Sequence, residues 1–235
     1  MNTAERMAAV RKKVDAMGVS PIDILIVGAT GVGKSSTLNA LFGKNVSKVG
    51  ESVNPETMDT PSFVLKDGLM RFWDSPGLGD GIENDKKHHR KIRKLLEESY
   101  IYNKRRYGKI DLVLVILDGS SRDMGTFSKI IDNVMLPCIS ENRIIVAINK
   151  CDLALCSRHW DNEKNCPDDR LLEEISKREK GDGEQKGYID RMGDVFTNRK
   201  RVISYSALKE YNIDKLFDFI INSVPNYKRR YRAKN

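Results

Sequence analysis

The chain has 235 residues, of which 40% are hydrophobic and 31% charged, and carries a formal net charge of +8. That length suits one α/β domain with an insertion or a tail, and that composition supplies a buried sheet inside a charged shell. No apolar run nears the ~20 residues of a bilayer-spanning helix, and the opening MNTAERMAAVRKKV lacks an unbroken apolar signal stretch, so a soluble, cytoplasmic protein is expected.

Residues 1–20 read as an amphipathic helix, with Met7, Val10, Val14 and Met17 at helical spacing until Gly18 and Pro21 stop it. IDILIVG (22–28) is almost wholly apolar, as a strand buried on both faces should be. A Gly-rich turn leads into a helix from Ser35 to Phe42, followed by a polar loop from Gly43 to Thr60. Ser62 to Lys66 and Leu69 to Trp73 flank Asp67-Gly68, the signature of an antiparallel hairpin. After a further loop comes a long basic helix, then the buried strand DLVLVILD (111–118), a helix near Thr126 to Met135, and the strand RIIVAIN (143–149). An irregular polar insert occupies about 153–200, with a helix from Asp168 to Lys180 and Trp160 as the anchor that packs it. RVISYS (201–206) and a helix with Ile213, Leu216, Phe217, Ile220 and Ile221 on one face close a domain spanning 21–224, and 225–235 form a basic tail. This alternation predicts a three-layer α/β fold: a mostly parallel six-stranded sheet with one antiparallel strand and helices on both faces.

The charge is local. Residues 85–109 hold ten Lys/Arg against three Asp/Glu, and Lys228 to Lys234 add five cations without an acid, which leaves the rest of the chain near −4. A solvated helix face accounts for such a run; a docking surface at 86–109 for rRNA, an anionic membrane or an acidic partner is the sharper alternative. His88 and His89 lack a matching ligand set and are expected to face solvent. Cys138, Cys151, Cys156 and Cys166 have no CxxC spacing, and reduced thiols outweigh a zinc cluster of Cys151, Cys156, His159 and Cys166.

Gly28-Ala-Thr-Gly-Val-Gly-Lys34-Ser35 fits G-x-x-x-x-G-K-[ST] between a buried strand and a helix start, where that motif works. The N–H groups of Ala29, Thr30, Gly31, Val32, Gly33, Lys34, Ser35 and Ser36 can curl around phosphate oxygens, helped by the positive end of the helix dipole. Lys34 would bridge β- and γ-phosphates and Ser35 would place its hydroxyl on magnesium. Asn149-Lys150-Cys151-Asp152 decides the base. A carboxylate at Asp152 accepts from N1–H and the exocyclic amine of guanine, whereas adenine offers an acceptor at N1 and no amine at C2. Lys150 lies its stem along the base, Asn149 ties this loop to the phosphate loop, and Ser206, Ala207 and Leu208 supply a backbone N–H to guanine O6. Asp74-Ser-Pro-Gly77 matches D-x-x-G, in which the acid holds magnesium through water and the Gly77 N–H senses the γ-phosphate. Thr57, with Thr60 as its rival, is the hydroxyl that closes over magnesium in the GTP form. GTP or GDP with Mg²⁺ is the expected ligand set.

With these four elements in order, residues 22 to about 224 resemble the translation-factor-related P-loop GTPases of the Era, TrmE and septin group. The form GxTGxGKSS is also similar to septin and AIG1/Toc GTPases, and Thr57-x-Asp59 resembles the T-x-D of Era-like proteins. The resemblance implies a molecular switch that hydrolyses GTP to GDP and phosphate. Leu78 stands where Ras-like members carry a water-orienting glutamine, which implies slow intrinsic turnover, on the order of 10⁻⁴ s⁻¹ or below. Gly31 fills the P-loop position that is asparagine in potassium-dependent members, so potassium activation is not expected. A GTP-dependent homodimer, paired through its nucleotide face with incidental turnover, and a ribosome- or RNA-associated GTPase are the alternatives.

Overall fold

Six consecutive buried residues, Ile22–Val27 (β1), form the centre of the architecture. The computed structural model describes residues 3–43, 46–48, 62–65, 67–75, 77, 82–121, 130–156, 158–180 and 202–231. Around β1 lie α1 (Thr3–Met17), α2 (Lys34–Phe42), β2 (Val46–Lys48), β3 (Ser62–Leu65), β4 (Met70–Asp74) and α3 (Ile82–Glu97). There follow a hairpin of β5 (Ser99–Tyr102) and β6 (Arg105–Gly108), then β7 (Leu112–Asp118) and β8 (Ile144–Asn149). A small β9 (Trp160–Asp161) and β10 (Cys166–Pro167) pair, α4 (Asp169–Lys180), β11 (Val202–Ser204) and α5 (Ile213–Ser223) complete it.

The main sheet runs β11-β8-β7-β1-β4-β3-β2. Its strands are parallel except β3, which is antiparallel to both β4 and β2. The six expected strands and the one antiparallel strand are present. A seventh, the three-residue β2, extends the edge from within the segment read as a polar loop. Period-two alternation sorts the buried side chains into two layers. Ile24 and Ile26 join Val10, Leu41, Phe72 and Phe217 beneath α1, α2 and α5. Leu25 and Val27 join Ile92, Leu96, Val115 and Ile131 on the side of α3.

α1 is bound into the domain at Arg6, whose guanidinium donates to the carbonyls of Ala40 at 3.3 Å and Leu41 at 2.5 Å and pairs with Asp214 at 2.8 Å. Those carbonyls end α2 and have no helical partner of their own, so the cation both caps and staples.

The basic stretch is not one long helix. α3 ends at Glu97, and residues 99–108 form a hairpin whose turn, Asn103-Lys104, has positive φ at both positions, 47° and 62°. Two left-handed residues are what a tight hairpin turn requires, and alternating Tyr100, Tyr102 and Tyr107 supply strand-forming side chains. His88 and His89 are half-buried rather than solvent-facing, because they flank the inward stripe of Ile92, Leu95 and Leu96. Of the helix expected near Thr126 to Met135, a single π turn, Ile131–Met135, is described, and residues 122–129 lie outside the described set. Trp160 is buried with Cys151, Ala154, Leu171 and Ile175, and its ring meets Tyr211 edge-on at 5.5 Å, so the insert has a small core of its own. Among the described residues no helix is long and apolar enough to cross a membrane.

At the N-terminal end of the strands Asp23 is buried within β1. Its carboxylate accepts from Arg71 Nε at 2.6 Å and Trp73 Nε1 at 2.9 Å. Lys228, also buried, donates to Asp111 Oδ2 at 2.5 Å, to Asp23 Oδ2 at 3.3 Å and to the Pro21 carbonyl at 2.5 Å. Two carboxylates thus share buried cations, which makes their burial tolerable.

Candidate functional site

The opposite, C-terminal end of the same strands gathers the motifs. β1 and β4 run in register with Ile26 beside Asp74, and β7 and β8 with Asp118 beside Asn149, so four loops open side by side. The loop after β1 cannot carry larger residues at its turning points. A Cβ at Gly28 would lie 2.7 Å from the Ile116 carbonyl, and one at Gly33, where φ is +93°, would lie 2.4 Å from Asn149 Nδ2. Lys34 Nζ arches over the loop to the carbonyls of Gly28 and Ala29, each at 3.2 Å. Thr30, Gly31, Ser35 and Ser36 are exposed and Val32 is buried. Thr37 Oγ1 donates to the Gly33 carbonyl or shares its proton with Tyr205 Oη, 2.6 Å away, anchoring the first turn of α2 to the residue that follows β11.

Asp74 ends β4 at the mouth of this loop. Its Oδ1 is buried without a hydrogen-bond partner, and burial raises its pKa against the opposing pull of Lys34. Next to it, Ser75 N–H donates to Ile26 O at 3.0 Å. A Cβ at Gly77 would lie 2.0 Å from Thr30 Oγ1 and 2.9 Å from the Thr30 backbone, so the D-x-x-G loop rests directly on the P-loop. Thr57, Thr60, Asp59 and Leu78 lie outside the described residues.

The base-reading loop is held from three directions. Asn149 Nδ2 donates to the Val32 carbonyl at 2.8 Å, while its Oδ1 accepts from Ala207 N–H at 3.0 Å. One side chain therefore joins the P-loop, the end of β8 and the turn after β11. Lys150 adopts a left-handed backbone with φ 59° and pairs through Nζ with Asp118 Oδ2 at 2.7 Å. Burial pushes the Asp118 pKa up, but hydrogen bonds from Lys150 and Ser120 outweigh it and leave the carboxyl below its ordinary value. Asp152 is 3% exposed and its Oδ1 has no hydrogen-bond partner. A buried carboxylate oxygen without a donor costs on the order of kcal/mol and is a vacant acceptor for a ligand. Ser206 is buried, its Oγ accepting from Lys209 N–H at 3.1 Å, whereas the Leu208 side chain is 83% exposed. Cys151 is buried beside Asp152, which together push its thiol up to about 12.

Sequence reasoning missed several members of this arrangement. Asp118 was legible as the polar residue ending an apolar strand, level with Asn149. Arg178, from α4 of the insert, donates to the carbonyls of Gly119 and Ala154, the latter at 2.5 Å, and pairs with Glu174 at 2.7 Å. It clamps both flanks of the base-reading loop, yet in sequence it is one more charge on an amphipathic helix.

The model of the family described as 50S ribosome-binding GTPase matches residues 23–150. The chain belongs to this family. Its G domain therefore binds guanine nucleotides. GTPase Der of Sulfurimonas denitrificans is 28% identical over 94% of this chain, which spans 38% of that relative's length. The probable GTP-binding protein EngB of Thermosipho africanus is 26% identical, with 84% of each chain covered. Among solved structures, Aquifex aeolicus Era bound to GDP and AlF4⁻ aligns with 88% of this chain and 58% of its own, at 20% identity and a TM-score of 0.48.

Proposed function

We propose that this GTPase is a slow GTP/GDP switch that works with magnesium and reads guanine through Asp152. The observation that carries the reading is the buried, unpartnered Oδ1 of Asp152, beside Lys150 and on a loop tied to the P-loop by Asn149. Guanine supplies two donors to that carboxylate, and an N–H of the Ser206 to Leu208 turn faces O6. Lys34, now bonded to neutral carbonyls, exchanges them for β- and γ-phosphate oxygens, a charge-assisted and stronger pairing. The N–H groups from Ala29 to Ser36 complete the cradle.

The donor set fits magnesium: Asp74 carries a buried unpartnered oxygen near Lys34, Ser35 is exposed at the start of α2, and Thr57 is the third candidate. Ser35 and Thr57 would hold the ion directly and Asp74 through water, and the ion would neutralise charge between the phosphates. Gly77, pressed on Thr30, couples γ-phosphate loss to the loop after β4. Leu78 cannot orient water, so fast turnover requires a group supplied by a partner or by another residue of the chain. A cytoplasmic setting is part of this reading.

The test is base selection. In calorimetry, wild type should prefer GTP over ATP, and Asp152→Asn should lose GTP affinity while gaining xanthosine triphosphate, whose C2 oxo group suits an amide donor. Equal binding of ATP and GTP by wild type would overturn the reading.

A further inference from the structure

Far from the P-loop, at the N-terminal end of the strands, a cleft of about 1090 Å³ opens between the β5–β6 hairpin, the loop before β8 and residues 227–231. Its third wall is built by strand pairing. Gly108 N–H donates to Arg229 O at 2.7 Å, Tyr231 N–H to Arg106 O at 3.1 Å, and Arg230 bridges to Tyr107, so this segment runs beside β6.

Five of the sixteen side chains lining the cleft are cationic and one, Glu97, is acidic. Among the described residues of this lining, Lys228 is in direct ion pairs with carboxylates, Asp23 and Asp111. Arg143 donates to the carbonyls of Asp111 and Tyr227, at 2.9 and 3.1 Å. Arg229 donates to those of Ile110, Cys138 and Leu96, at 3.0, 3.0 and 2.6 Å. Carbonyls satisfy the donors and leave the positive charge in place. Burial, and for Arg229 the neighbouring Arg143, lower the pKa of these guanidinium groups against the opposing pull of Asp111. Arg105 and Arg230 add two exposed cations at the rim.

Aromatic faces accompany the charge. Tyr227 is 59% exposed with the Arg143 guanidinium 5.1 Å from its ring centroid, and Arg106 lies 5.3 Å from that of Tyr231. Recessed cations with flat, accessible rings match a polyanion that also carries flat groups, which is a nucleic-acid strand with unstacked bases. An acidic peptide would answer the charge and leave the rings unmatched, and a bilayer cannot enter a concave cleft. Ser140 Oγ on the wall, bonded to Asn142 Oδ1 at 2.7 Å, retains lone pairs for a 2′-hydroxyl.

We propose that this cleft binds single-stranded RNA, with the exposed Arg105 and Arg230 on phosphates, Arg143 and Arg229 adding charge from within the wall, and Tyr227 and Tyr231 stacking on bases. The site is separate from the nucleotide pocket and does not depend on the switch reading. The test is fluorescence anisotropy of a labelled twelve-residue oligouridylate with the full-length, GDP-loaded protein over a salt series. Wild type should bind, with log K falling with log salt at roughly −0.7 per phosphate contacted. Arg105→Glu with Arg230→Glu should weaken binding at least tenfold and Tyr227→Ala severalfold, while GDP affinity stays unchanged as a measure of intact fold. Lys86→Glu with Lys87→Glu on exposed α3 removes the same charge away from the cleft and should cost less than threefold. Equal losses from both double variants would overturn the site, as would no RNA binding by wild type at low salt. Equal affinity for oligothymidylate, or binding confined to phosphatidylserine vesicles or polyglutamate, would overturn the assignment to RNA.

Discussion

The two ends of the sheet surround their buried carboxylates with different groups. At the N-terminal end, Asp23 accepts from Arg71, Trp73 and Lys228, and Asp111 accepts from Lys228 through Oδ2 while its Oδ1 has no donor. At the C-terminal end, Asp74 and Asp152 each keep a buried oxygen without a donor, and Lys34 rests on carbonyls. Carboxylates in the same fold, about a strand length apart, thus differ in setting: one pair is tied together by the buried Lys228, and the other lines the loops where the motifs meet. Stability and binding should therefore respond to different substitutions.

The largest effect expected is on binding. Lys34→Ala removes charge-assisted bonds to two phosphates, each worth ~1.5–3 kcal/mol, and should lower GTP affinity by about 100-fold or more in calorimetry. Its urea midpoint should stay close to wild type, since the contacts of Lys34 to the Gly28 and Ala29 carbonyls are long and partly exposed. Lys228→Met should do the reverse. It leaves two buried carboxylates facing each other and should cost about 3–5 kcal/mol in urea unfolding, with the GTP-over-ATP preference retained in whatever remains folded. A stable Lys228→Met protein would erase the contrast between the two ends. Smaller still is Arg178→Ala, which frees the carbonyls of Gly119 and Ala154 beside the base loop. It should narrow the GTP-over-ATP preference by roughly tenfold, about 1–2 kcal/mol, and competition by inorganic triphosphate should be unaltered. A matching loss of triphosphate binding would mean that Arg178 supports the whole pocket rather than the base loop.

The same contrast explains what was legible in the sequence. Ligand-facing residues are read from short local patterns, because a phosphate loop or a guanine loop is built from consecutive residues at strand ends. The hairpin at Asp67-Gly68 and the runs 22–28, 111–118 and 143–149 were equally local. Asp23 was not: it sits inside an apolar run, and its partner Lys228 is 205 positions away, in a stretch that composition presents as a basic tail. The β5–β6 hairpin was hidden because ten cations dominate its segment and its turn, Asn103-Lys104, lacks the glycine that usually marks one. β2 has three residues, too few for periodicity to register. Arg178 acts through backbone carbonyls, which leave no trace in side-chain patterns.

The sheet's two outermost strands, β11 and β2, are each three residues long. An incoming chain that tried to extend the sheet there would find a ladder of one or two rungs, too short to repay the ordering of its own backbone. Growth by strand addition, the common route to fibres and swapped oligomers, is thereby disfavoured among the described residues.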